Sequence, residues 1–485
     1  MKGSLRVAAL LLFLGALAGC AVGPDYKRPE TQVPASFKEP APEGNPAASP
    51  EVWKPAAPGD EDSKGRWWEV FNDPLLNTLE EQVNVSNQNI AQAEAIFRGA
   101  RAAVRGARSD FIPTVTTSPS FTRSQRGTNP PVNLYSLPVD LTYEVDIWGR
   151  VRRNVESSVA AAQASAADLE GVRLTMQSEL AVDYFALRGF DTVKDLLDTN
   201  VVAYEKALQV TTNRYRQGIV SGQDVAQAQT LLEATRADAT EAALQRSFLE
   251  HAIATLVGKP ASEFSIPPSV GLSLPPAIPT GVPSELLERR PDIASSERRV
   301  ASANAQIGVA IAAYFPKLLL GASAGYAGPT ISDWFTLPSR FWSIGPTLVA
   351  TLLDGGRRRA VTDQARAAHE ATVAVYRLNV LSAFQGVEDN LAALRLLEQE
   401  AAQQAAAVTA AEKSLTIARN RYLAGTTTYL EVVTAQVAAL NNERSAVQIQ
   451  VRRLTAAVNL IKGLGGGWTS QELPYGGAAA AAASR

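Results

Sequence analysis

The chain has 485 residues, with 46 basic side chains against 48 acidic ones and a formal charge of −2. That balance, with no basic run interleaved with aromatics, excludes nucleic acid as a partner. One cysteine excludes an intrachain disulfide. Beyond the N-terminal signal no apolar stretch is long enough for a spanning helix, so a mature chain that crosses a membrane must do so as a closed β-barrel.

The N-terminus reads as an address. Lys2 and Arg6 precede an apolar run from Val7 to Leu17, and Leu17-Ala18-Gly19-Cys20 follows, so residues 1–19 read as a cleaved secretory signal. Cys20 stands where the lipobox of bacterial lipoproteins places its acylated residue. Acyl chains there would anchor the mature chain, at about 0.8 kcal/mol per buried methylene. Residues 20–72, rich in Pro, Ala and Glu, read as an extended and poorly ordered lipidated tether.

Asp73 before Pro74 is an N-cap with proline at the first helical position, and it opens a first repeat over 73–260 with an Ala-rich helix to about Asp110. Proline-free helical segments follow over 151–217 and 223–257. A second repeat over 291–465 carries matching segments over 357–424 and 429–462. A helix of about 65 residues would be on the order of 100 Å long and needs neighbours along its whole length. Prolines 260, 267, 268, 275, 276, 279 and 283 mark an irregular connector, taken as 261–290. Residues 466–485 read as a disordered tail.

The chain is written twice. Asn213-Arg214-Tyr215 and Gly218 return as Asn420-Arg421-Tyr422 and Gly425, at an offset of about 207 residues, and Gly149-Arg150 returns as Gly356-Arg357 in the same register. Each copy also holds a β-hairpin, at about 113–147 and 316–353. Leu137, Val139, Leu141, Tyr143 and Val145 alternate with Asp140, Thr142 and Glu144, which puts one face in oil and the other in water. Four strands leave two open edges. Either they cap a soluble domain, or several chains share one barrel.

Taken together, several motifs resemble the TolC-like outer-membrane factor family, in its lipidated efflux branch of NodT-type outer-membrane lipoproteins. They are Cys20, Val22-Gly23-Pro24-Asp25-Tyr26, the strand exits Asp146-Ile147-Trp148-Gly149-Arg150 and Asp354-Gly355-Gly356-Arg357, and Arg214-Tyr215-x-x-Gly218 repeated at Arg421-Tyr422-x-x-Gly425. The resemblance implies an α+β membrane protein: a homotrimer sharing one barrel of about 12 strands, continued by a periplasmic tunnel of long coiled-coil-like helices. It implies the exit duct of a tripartite efflux pump, with outer-membrane lipid, a periplasmic adaptor (membrane fusion protein) and an inner-membrane transporter as partners. A protein-secretion duct and a non-conducting structural envelope lipoprotein are the alternatives.

The resemblance also implies residue roles. The helix turns at 218–222 and 425–428 would be the periplasmic tips, with Gly218, Val220, Ser221, Gly425, Thr426 and Thr427 meeting the adaptor. Both glycines also read simply as helix C-caps. Asp224 and Tyr422 occupy positions where a resting-state link is expected, and Glu431 one where an acidic ring faces the pore; Glu431 also reads as an ordinary solvated charge. Trp148 is either an interfacial anchor or packing at the strand-to-helix joint. No enzyme is read here: His251 and His369 stand alone without metal-ligand spacing, Gly463 to Gly467 follows a helix rather than opening one, and no cofactor or metal is called for.

Overall fold

The computed structural model describes residues 21–39, 66–278 and 289–467. The signal, Cys20, the middle of the tether, part of the connector and the tail from 468 lie outside the described residues. Two helices of 67 residues, α3 (Arg150–Arg216) and α6 (Arg357–Leu423), form the long axis. Each folds back on a helix of 35 residues, α4 (Gly222–Leu256) and α7 (Tyr429–Gly463). The shorter α5 (Pro291–Ala312) lies against both long helices. Close approach follows from side-chain size: α3 buries Ala160, Ala164 and Ala167, and α5 buries Ala294, Ala301, Ala305 and Gly308.

Where the sequence pattern predicts one helix over 73–110, the chain breaks into α1 (Pro74–Ser86) and α2 (Gln88–Ser109). Asn87 causes the break. Its Oδ1 accepts from the backbone N–H of Asn89 and Ile90 at 2.9 and 3.1 Å, capping α2, while its Nδ2 donates to the Leu256 carbonyl at 2.8 Å. That tertiary bond to the end of α4 outweighs continued helix.

The hairpins form one antiparallel sheet. An edge line of β1 (Thr114–Thr117) and β2 (Ser120–Ser124) pairs with β3 (Val132–Val145), followed by β4 (Lys317–Gly328) and β5 (Arg340–Val349). The edge is interrupted at Ser118-Pro119, where proline has no N–H to give. Register makes the two faces chemically distinct. Val115, Leu141, Ala322 and Ile344 form one cross-strand row; Thr116, Asp140, Ser323 and Ser343 form the next, on the opposite face. No described helix is long and apolar enough to cross a membrane.

The main core gathers Trp67, Trp68, Phe71, Tyr184, Phe185, Tyr376, Leu391 and Leu454. Here the expected loose tether is corrected. Residues 66–71 are anchored in this core, with the Trp67 indole donating to Gln177 at 3.2 Å. Residues 21–39 form a strap bonded across the helices. Val22 N–H donates to the Trp148 carbonyl at 3.0 Å, Asp25 pairs with Arg153 at 2.8 Å, and the Tyr26 hydroxyl donates to Glu297. Further along, Glu388 accepts from the N–H groups of Lys38 and Glu39, and Glu39 pairs with Arg395 at 2.7 Å. Composition signals disorder, but these backbone groups find partners on the helix surface.

Gly23 locks the strap. Its φ is +101°, and an added Cβ would lie 2.5 Å from the Cα of Gly308. Gly23→Val is therefore expected to lift the strap and open it to limited proteolysis. Identical digestion of variant and parent would contradict this.

One titration is expected from this region. Burial, with Glu179 adding repulsion, pushes the Asp183 carboxyl up to about 6. The folded state then holds a proton that the unfolded chain releases near 3.9. This group's contribution to stability is present below about 4 and lost as pH rises to about 6. Asp183→Asn should flatten that part of the stability profile. An unchanged slope between those limits would count against it.

Candidate functional site at the helical tips

The two tips are built by one turn used twice. Gly218 (φ +72°) donates to the Tyr215 carbonyl at 2.9 Å, and Ile219 donates back to Arg214 at 2.9 Å. Gly425 (φ +75°) donates to Tyr422 at 3.0 Å, and Thr426 to Arg421 at 2.9 Å. This pairing closes a helix with a left-handed residue, which glycine adopts without strain. Beyond it the tips diverge. Ser221 and Asp224 form a capping box at the start of α4, whereas Thr428 opens α7 with no side-chain cap bond.

The capping box redirects an expected gate residue. The Asp224 carboxylate accepts from the Ser221 N–H at 3.2 Å, and no Asp224–Tyr422 hydrogen bond forms among the described residues. The Arg214 guanidinium takes that place, lying 4.6 Å over the Tyr422 ring and donating to the Tyr422 carbonyl at 3.3 Å. Tyr422 also packs on Tyr429, with ring centroids 5.1 Å apart, over a small core with Ala228 and Val432. Burial pushes the Tyr429 hydroxyl above its usual range. Glu431 pairs with Arg421 at 3.3 Å, both side chains about half exposed, so its charge is partly answered within the chain. An exposed pair of this kind is worth only about 0–1 kcal/mol.

Of the six expected docking residues, Gly218, Ser221, Gly425 and Thr426 are exposed. Val220 instead turns inward onto the tip core, and Thr427 is half-buried. The buried Tyr422 hydroxyl and Thr427 Oγ1 meet no partner among the described residues. Sequence reasoning missed Arg214 and Arg421 as tip residues, although both stand inside the repeated motif. Ile219 and Leu430, at which the two copies differ, and Leu423 are apolar and exposed around the turns.

At the other end, each strand-exit aspartate caps the long helix that follows. Asp146 accepts from the N–H groups of Val151 and Arg152 at 3.0 and 2.9 Å; Asp354 accepts from Gly356 and Arg358 at 3.0 and 3.2 Å. Trp148 packs at this joint, stacked on Phe315 at 4.6 Å with its indole donating to the Pro316 carbonyl at 2.8 Å.

A duplicated chain with a sheet apolar on one face and long paired helices has the architecture of an outer-membrane channel. Comparison with solved structures agrees: the outer-membrane channel OprN superposes with a TM-score of 0.83 at 30% identity, over 93% of this chain and 100% of that one. The pyoverdine export outer membrane protein OpmQ of Pseudomonas aeruginosa is 31% identical over 446 residues, 89% of this chain and 94% of its own length. The probable efflux pump outer membrane protein TtgC of Pseudomonas putida is 29% identical over 97% of both chains. The chain belongs to the outer membrane efflux protein family, whose model matches residues 79–259 and 282–466. It is a transport protein of the outer membrane, serving efflux.

Proposed function

We propose that three copies of this chain close one β-barrel in the outer membrane and form the exit duct of a tripartite pump, passing small molecules outward without a cofactor. The observation that carries this reading is the sheet: four strands' width, apolar on one face, its outer edges β1/β2 and β5 unpaired among the described residues. Closure between copies removes both edges. The paired helices would continue the duct across the periplasm, their tips meeting the adaptor, and acylation of Cys20 would add a membrane anchor. The Arg214–Tyr422 contact would hold the resting tip, and Glu431 would bias a pore toward cations.

The reading is tested in a strain stripped of its own exit duct and supplied with a matching adaptor and transporter. Expression of this chain is expected to lower accumulation of a fluorescent efflux substrate. Unchanged accumulation with the protein correctly inserted would contradict it.

A further inference from the structure

On the shared-barrel reading the strand-to-helix junction marks the edge of the membrane, and its charges are unevenly matched. Arg150 pairs with Glu144 at 2.7 Å, Arg152 with Asp146 at 3.3 Å, Arg153 with Asp25 and Glu156, and Arg358 with Asp354 at 2.6 Å. Arg105 and Arg357 are exposed and have no carboxylate partner among the described residues. Both flank the outer edges of the sheet. Arg105 lies near the end of α2, before β1, and Arg357 opens α6, after β5.

Between each arginine and its strand stands an exposed apolar pair. Phe111 and Ile112 precede β1, with Ile112 at 67% exposure; Leu352 and Leu353 follow β5 at 92% and 91%. Each edge therefore repeats one order: strand, exposed apolar pair, unanswered cation. Apolar surface beside a cation at the level where strands end matches an acyl chain beneath an anionic headgroup.

We propose that the seam where β5 of one copy meets β1 of the next binds an anionic phospholipid, its phosphate between Arg357 and Arg105 and its acyl chains along Leu352, Leu353, Phe111 and Ile112. This rests on the shared-barrel reading above, because the two half-sites lie on opposite edges of one chain's sheet. The lipid would seal the groove where the two edges meet, and phosphatidylglycerol has the required charge and chains.

The test uses the protein purified from membranes, in nanodiscs of phosphatidylethanolamine with phosphatidylglycerol, followed by native mass spectrometry after release into detergent. The parent trimer is expected to retain phosphatidylglycerol. Retention should fall about tenfold or more in Arg105→Gln/Arg357→Gln and hold in Arg126→Gln, a distal-loop control. Equal retention in the double variant would overturn the proposal, as would displacement of the lipid by inorganic phosphate. The same spectra report assembly: a parent that is monomeric would overturn the shared barrel, whereas a trimer without bound lipid would overturn only this inference.

Discussion

Replacing Gly425 with tryptophan is expected to abolish pump-dependent drug resistance while leaving assembly and membrane insertion intact. The left-handed turn gives glycine its place, and forcing another residue into it costs about 1–2 kcal/mol. An added Cβ at Gly425 meets nothing within 4 Å, so a side chain there starts from open space. Gly425→Ala separates the two effects, because it carries the backbone strain without the indole. If docking is the role of this tip, alanine retains most resistance and tryptophan loses it, as read by minimum inhibitory concentration beside native gels of the membrane fraction. Resistance retained by the tryptophan variant would remove Gly425 from the docking surface. Equal loss in both would assign it to helix capping.

Asp191→Ala should have the largest effect on stability. Asp191 sits at the centre of a buried hub, its Oδ1 2.6 Å from Arg246 Nε and its Oδ2 3.1 Å from Arg188 Nη1, with the Ser269 N–H donating to the same Oδ2 at 3.1 Å. Arg188 also donates to the Pro267 carbonyl, and Gly271 N–H donates to Thr192. The hub thus fastens the proline-rich connector to α3 and α4. Removing the carboxylate leaves the buried Arg188 guanidinium without a carboxylate partner, while Arg246 keeps only Glu250 at 3.3 Å, and breaking a buried pair in this way costs about 3–5 kcal/mol. The expected result is a clear fall in the thermal midpoint in detergent and new proteolysis around residues 266–271. A midpoint equal to the parent's would show that the connector is held elsewhere.

The helical frame was legible because its signals are local and repeated. Asp73-Pro74 opens α1 as expected, and glycine ends both long helices within a residue or so of the predicted bounds. The sheet was legible through its period of two. What stayed hidden depends on contacts across long stretches of chain. Nothing near Asn87 foretells its bond to the Leu256 carbonyl, and nothing in the composition of residues 21–39 foretells the Gly23–Gly308 contact. At the tips, the Asp224–Tyr422 link that the resemblance implies is not formed within the chain. Ser221 is near enough in sequence to engage Asp224 locally, which leaves Tyr422 to Arg214. Glu431 stands on the first turn of α7, and its pairing with Arg421 depends on how two antiparallel helices meet.

Purified trimers in a planar bilayer offer the most direct test of the duct. Discrete conductance steps are expected, more frequent when the tip is loosened by Arg214→Ala, and with weaker cation selectivity in Glu431→Gln. Clean, inserted trimers that pass no current even as Arg214→Ala would contradict a conducting duct.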